Sequence, residues 1–304
     1  MSSKLEEFMS SNEDINEVRY GKALEFTKKL VVTNDDLKKV MTSMLKQFEI
    51  GLAGGKNACI QMLPTFVHDI PSGNETGTFL ALDLGGTNFR VLMIKLNGED
   101  VELVPLKFEI DINIKIGKGK YLFDKIVQSI NEFMTMHNLA NHEPIPLGFT
   151  FSFPCKQSDI DKAILLHWTK GFNCPDVVGK NVVKLLQDTI DSTPGPSKGR
   201  VKVVALINDT LGTLMSCAHK DKECRVGLIV GTGCNACYME SYDKIKYLKN
   251  DKKQMVINTE FGGFGDSGQL EHIRTQWDKE IDENSINKGI LINKKVLNLI
   301  FLKI

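Results

Sequence analysis

FLALDLGGTNFRVLMI, residues 79–94, decides how the rest of the chain is read. An apolar run ends at Asp83-Leu84, turns through Gly85-Gly86-Thr87, and resumes almost at once as a second apolar run. That order predicts strand, glycine turn, strand. Glycine has no Cβ, so such a turn exposes backbone N–H groups that can cradle phosphate oxygens. Taken alone, it is more simply a plain hairpin. Asp83 is the informative residue, because a bare carboxylate repels phosphate unless Mg²⁺ or its water shell lies between them. Arg90 could add positive charge nearby.

About 145 residues further on the design repeats as VGLIVGTGCNACYME, residues 226–240, again with strand, glycine turn and strand. The two stretches share little identity beyond that design, which suggests duplication without proving it. Two such turns favour phosphate binding, since facing hairpins could grip one polyphosphate from opposite sides. The chain has no GxxxxGK[ST], and no GxGxxG between a strand and a helix.

Between and around the hairpins, strand and helix patterns alternate. VELVPLKFEI and IPLGFTFSFP read as strands, YLFDKIVQSINEFMTMH and VVGKNVVKLLQDTI as helices, and VKVVALIND as a buried strand leading into a helix. DSTPGPSKGR, residues 191–200, reads as a surface loop. The first ~60 residues read as helical; in NDDLKKVMTSMLKQFEIGLAGG, Asn34 can cap and the stripe from Leu37 to Phe48 is most simply core. This alternation predicts an α/β fold with largely parallel sheets.

The bulk numbers exclude several classes. With 304 residues the chain is long enough for about two domains, and its 38 basic and 38 acidic residues cancel, so no nucleic-acid partner is implied. No run approaches the ~18 apolar residues of a membrane span. MSSKLEEFMSSNEDINE has neither the apolar stretch of a secretory signal nor the acid-poor character of a transit peptide, so the cytosol is the expected location. Seven cysteines without a signal peptide read as reduced thiols, and the lone Cys234-x-x-Cys237 lacks a second pair at zinc spacing.

Several core strands end in amides, hydroxyls or carboxylates. VVALINDT ends in Asn208-Asp209, where Asp209 is either a helix cap or something more. FTFSFP offers Ser152, LLHWTKGF Thr169-Lys170, GTGCN Asn235, and INTEFGGFG Glu260. Amide and carboxylate groups suit vicinal hydroxyls, and a strand-end Asp can act as base for an alcohol attacking a γ-phosphate. Together with the hairpins, these residues outline a sugar site beside a nucleotide site.

These motifs closely resemble the hexokinase family. LGFTFSFPCKQSDIDKAILLHWTKGF, residues 147–172, is similar throughout to that family's sugar-binding signature. LDLGGTNFRV, INDTLGT, GLIVGTGCNACY and INTEFGGFGD match in family order, over about residues 20–280. The resemblance implies a ribonuclease-H-like, actin-type α/β fold with two lobes and a cleft. Residues 1–59 would be helices of the large lobe, 60–207 the small lobe, 208–288 part of the large lobe, and 289–304 a divergent tail. By the same resemblance, Asp209 is the general base and a sugar ligand. Ser152, Phe153, Thr169, Lys170, Asn208, Asn235 and Glu260 complete the sugar site. Asp83, Leu84, Gly85, Gly86, Thr87, Asn88 and Arg90, with Gly231, Thr232 and Gly233, serve ATP, and Mg²⁺ travels with the nucleotide. The implied activity is phosphorylation of glucose or another hexose, the entry to glycolysis.

The chain departs from the family pattern at three places. Phe261 stands where the family has Trp, Lys294 falls where a second sugar-binding glutamate belongs, and the family's later adenosine-binding segment has no counterpart. GILINKKVLNLIFLKI does not resemble the family and reads as an amphipathic helix; the expectation is a truncated product with exposed apolar surface and strand edges. Two other readings stand beside the kinase: a non-catalytic sugar-binding relative, and an actin- or chaperone-like ATPase. Nothing in the sequence specifies the oligomeric state.

Overall fold

The structure is a computed structural model. It describes residues 30–55, 57–86, 88–141, 143–231, 233–249, 251–285 and 288–290, with Gly21, Glu25, Lys28, Ile292 and Val296 singly. Thr87, Thr232, Lys294, most of the first 29 residues and most of the tail lie outside the described residues. The elements are α1 (Asn34–Leu52), β1 (Leu63–Pro64), β2 (Thr76–Leu84), β3 (Asn88–Asn97), β4 (Asp100–Glu109), α2 (Ile112–Lys115), α3 (Gly119–Met136), β5 (Ile145–Phe151), β6 (Cys155–Asp159), β7 (Lys162–Leu165), α4 (Val182–Ser192), β8 (Val201–Ile207), α5 (Asp209–Lys220), β9 (Val226–Val230), β10 (Cys234–Ser241), β11 (Gln254–Asn258) and α6 (Gln276–Glu283).

Ile50–Lys56 and Gln61–Phe261 form one compact unit, which contains both glycine hinges and every strand among the described residues. Its larger sheet runs β4-β3-β2-β5-β8. The 79–94 hinge makes β2 and β3 antiparallel, with Asp83 opposite Arg90, while β5 and β8 join parallel to β2 and to each other. The second sheet runs β1-β11-β10-β9 and is antiparallel throughout. The expectation of largely parallel sheets is therefore corrected to mixed ones. A short glycine turn can only return the chain antiparallel, and only the long crossovers through α3 and α4 yield parallel pairs. Pro105 lies within β4, which is tolerable because β4 is a sheet edge.

The core of the larger sheet packs Leu80, Leu82 and Leu84 of β2 into one cluster with Leu122, Ile126 and Ile130 of α3 and Leu186 and Ile190 of α4. Val226, Leu228 and Val230 hold the corresponding positions of β9 before the second hinge, yet they are 58%, 55% and 54% exposed. β9 is the end strand of its sheet among the described residues. One stability contrast follows. Leu82→Ala should cost about 3 kcal/mol, typical of a fully buried leucine, whereas Leu228→Ala should stay within about 0.5 kcal/mol. Denaturant midpoints of the two variants check this; equal losses would mean that the β9 face is covered in solution.

Several local expectations are revised. Thr33, not Asn34, caps α1: its Oγ1 accepts from Asp36 N at 3.2 Å, and Asp36 Oδ2 accepts from Thr33 N in return. The α1 stripe is only partly covered: Val40, Met44 and Phe48 are half-buried, while Leu37, Met41 and Leu45 are exposed; amphipathic spacing specifies an apolar face but not how much of it finds a partner. Helix α4 begins only at Val182, because Gly179 adopts a φ of +79° and Asn181 caps with Oδ1 toward Val183 N and Lys184 N. The 191–200 stretch is not wholly a surface loop: Ser197 is buried, and its N–H donates to Asn131 Oδ1 at 2.9 Å. The β6–β7 hairpin had no counterpart in the sequence reading.

The other unit comprises the described parts of Met1–Glu49, Asn57–Ile60 and Gly262–Ile304. There Thr275 and Asp278 form a reciprocal capping box on α6, and the Ile292 N–H donates to Asp266 Oδ1 at 2.9 Å. Among the described residues, no helix is long and apolar enough to cross a membrane, and all seven cysteines are free thiols.

Candidate functional site

Three parallel strands, β2, β5 and β8, end side by side, and each end carries polar residues. Asp83 and Gly85-Gly86 sit at the end of β2, Ser152 directly follows β5, and Asn208-Asp209 directly follows β8. The carboxyl edge of parallel strands is where α/β sheets open to ligands, because the following turns diverge there.

Asp83 meets Arg90 across the β2–β3 ladder, with Nη1 3.6 Å from Oδ2. Burial pushes its carboxyl above the ordinary value; Arg90 and Lys170 oppose that shift, and Asp209 adds to it. Leu84 is fully buried in the core. Gly86 lies against the next part of the site, since a Cβ there would come within 3.3 Å of the Lys170 Cβ. Asn88 opens β3.

Lys170 belongs to a strained turn: its own φ is +55°, an uncommon value outside glycine, and Gly171 follows at +79°. An aromatic base holds the turn. Phe153 is buried with ring centroids 4.8 Å from Phe151, 4.8 Å from Trp168 and 5.1 Å from Phe172, and Trp168 Nε1 donates to the Cys174 carbonyl at 2.7 Å. Phe153 is therefore a support beneath the site, with Lys170 Nζ 5.8 Å above its ring. Thr169 is half-buried on the same turn, and its carbonyl accepts from Phe172 N.

Lys170 Nζ stands 3.8 Å from Asp209 Oδ2. Asp209 is the first residue of α5, but Asn208 is its cap: Asn208 Oδ1 accepts from Thr210 N at 3.0 Å and Thr210 Oγ1 at 2.8 Å. The capping alternative for Asp209 therefore falls away. Its Oδ1 accepts from Thr210 N at 2.9 Å, while Oδ2 faces the lysine.

The second sheet supplies the opposite wall. Asn235 Nδ2 approaches Asn208 Oδ1 at 3.4 Å, Asn258 Oδ1 at 2.9 Å and Glu260 Oε1 at 3.3 Å. Glu260 holds a φ of +52°; burial pushes its carboxyl up, and Asp209 adds to that push, while Asn258, Lys170 and Asn235 oppose it. The structure thus brings Asp83, Lys170, Asn208, Asp209, Asn235 and Glu260 into one polar cluster. Gly231 and Gly233 form an open turn closed by Gly231 N to Gly233 O at 2.9 Å, two residues before Asn235.

Two residues of this wall were missed in the sequence. Asn258 is buried and bonds both Asn235 and Glu260, and Thr259 is buried with Oγ1 donating to the Ala236 carbonyl at 2.8 Å. The signal that flagged Asn208, polar residues closing an apolar strand, was equally present in MVINTE.

Two family models described as hexokinase match residues 22–219 and 225–300; the second runs into the stretch beyond 289, which the motifs alone had not connected to the family. The chain is 46% identical over 260 residues to Hexokinase HKDC1 of Mus musculus, covering 85% of this chain and 28% of that protein. It is 45% identical over 276 residues to Hexokinase-1 of Homo sapiens, covering 89% and 30%. A solved hexokinase from Schistosoma mansoni complexed with glucose superposes with a TM-score of 0.83 at 37% identity, over 93% of this chain and 66% of that one. The chain therefore spans under a third of the length of these curated relatives.

Proposed function

The chain belongs to the hexokinase family, and from that premise we propose that it transfers the γ-phosphoryl group of ATP to the 6-hydroxyl of a hexose such as glucose. The fold is the family's α/β, actin-like one. The observation that carries the proposal is the meeting of Lys170, Asn208, Asp209, Asn235 and Glu260 in one cluster.

In this reading Ser152, Thr169, Lys170, Asn208, Asn235 and Glu260 hold the sugar hydroxyls, and Phe153 supports the Lys170 turn from below. Asp209 accepts the 6-hydroxyl proton as that oxygen bonds to the γ-phosphorus. The bond from phosphorus to the β–γ bridging oxygen breaks, and its electrons leave on ADP. Lys170 offsets negative charge gathered at the transferred group. The backbone of Gly85, Gly86 and Asn88, with Thr87 and Arg90, takes one side of the polyphosphate; Gly231, Thr232 and Gly233 take the other.

Family membership implies Mg²⁺ carried by the nucleotide, and the residues fit a hydrated ion. Asp83 offers a half-buried carboxylate beside the hinge, which could reach such an ion through a bridging water. When bound, the ion neutralises phosphate charge.

A coupled assay of ADP release tests the proposal, with glucose binding measured separately by calorimetry. ADP formation should require glucose and Mg·ATP together. A folded chain that binds glucose and releases no ADP would be a sugar-binding relative without the chemistry. ATP hydrolysis indifferent to glucose would instead indicate an actin-type ATPase.

A further inference from the structure

We propose that Asn258 is a positioning residue of the sugar site, fixing the Asn235 amide and the Glu260 carboxylate in their working orientations; this rests on the sugar-site reading above. Asn258 is the last residue of β11, in register with Cys237 of β10 on one side and Leu63 of β1 on the other, so its backbone is held within the sheet. Its side chain is only 6% exposed. Oδ1 accepts from Asn235 Nδ2 at 2.9 Å, and Nδ2 donates to Glu260 Oε1 at 2.9 Å.

This double contact needs an amide, which donates at one end and accepts at the other; a carboxylate keeps only the acceptor, and an aliphatic side chain keeps neither. The amide's orientation follows from its neighbours. Asn235 Oδ1 already accepts from Ala236 N at 2.8 Å, so its Nδ2 is turned toward Asn258, and Asn258 must present oxygen there and nitrogen to Glu260. Glu260 has special need of such a partner, since its backbone sits in the left-handed region at φ +52°. Oε1 is occupied by the two amides, and Oε2 has no protein hydrogen bond among the described residues, which leaves it for a ligand hydroxyl.

The charged and titratable groups facing Glu260 are Asp209 at the start of α5, Lys170 on the turn after β7, and Cys155 at the start of β6. Burial and Asp209 favour the protonated acid; Lys170, Asn258 and Asn235 favour the carboxylate. A protonated Glu260 loses acceptor capacity, so sugar affinity falls as pH drops through its pKa. Removing the Asn258 N–H raises that pKa, and the fall begins at higher pH.

The test is glucose affinity by calorimetry between about pH 5 and pH 8 for the parent, Asn258→Ala and Asn258→Asp, with near-UV circular dichroism to verify folding. The variants should bind glucose about tenfold more weakly at neutral pH, as for loss of one hydrogen bond to a charged group, with the acid limb displaced upward. A ¹³C titration of Glu260 in the sugar-free protein should move the same way, even for a variant that binds too weakly to measure. Unchanged affinity, or a uniform loss with the parent's pH profile and an unmoved Glu260 titration, overturns the positioning role. A folded parent that binds no hexose at any pH overturns the sugar-site reading instead.

Discussion

Asp209→Ala is expected to lower glucose-dependent ADP formation by about 10²–10⁴-fold, the contribution of a positioned general base. Asp209→Asn should fall nearly as far, because the amide keeps the shape and the acceptor toward Thr210 N but cannot take a proton. Neither change should cost much stability. Asn208 carries the cap of α5, so the helix keeps its N-terminal hydrogen bonds without Asp209. The loss should therefore appear in kcat, with thermal midpoint and glucose affinity much less affected. The charge change adds a second readout. Asp209 pushes up the carboxyls of both Asp83 and Glu260, so removing it moves both down. Glucose binding by Asp209→Asn should then persist to lower pH than in the parent. Turnover by Asp209→Asn within tenfold of the parent would sink the assignment of the base.

How much of this was legible in the sequence depended on whether the signal was local. The 79–94 hinge and its echo at 226–240 were readable, since turn chemistry and strand patterning lie within one short window; the pairing of Asp83 with Arg90 follows from that hairpin. The ends of β5 and β8 were readable for the same reason: a polar residue closing an apolar run is visible without the partner strand. What could not be read was the far side of each contact. The apolar stripe of α1 shows a face but not whether anything covers it, and Leu37, Met41 and Leu45 are exposed. The strain at Lys170 and Glu260, and the pairing of β1 with β11, are set by tertiary packing that no window contains. Asn258 was passed over because its meaning lies in two bonds to Asn235 and Glu260, 23 and 2 residues away.

The same distinction makes two strand glycines behave differently. Gly148 of β5 has nothing within 4 Å of the Cβ it lacks, and Gly148→Ala should be nearly silent in stability. Gly227 of β9 faces α5: a Cβ there would run into the Thr210 carbonyl oxygen and come to 3.0 Å from both Leu214 Cβ and the Cys237 Sγ. The first obstacle is backbone and cannot rotate away, so β9 and α5 must separate. Gly227→Val adds two more carbons to that contact and should cost more than about 4 kcal/mol, beyond the usual overpacking range, leaving little folded protein at 37 °C. Gly227→Ala should be intermediate and more informative. Moving Thr210 also moves Asn208, which it bonds twice, and Asp209 beside it. Sugar affinity should thus fall together with the thermal midpoint in Gly227→Ala, whereas Asp209→Asn lowers turnover far more than it changes neutral-pH affinity or the thermal midpoint. Thermal melts and glucose titrations of the two glycine variants, read side by side, check this; a Gly227→Val protein as stable as Gly148→Ala would mean that β9 does not pack on α5 as described.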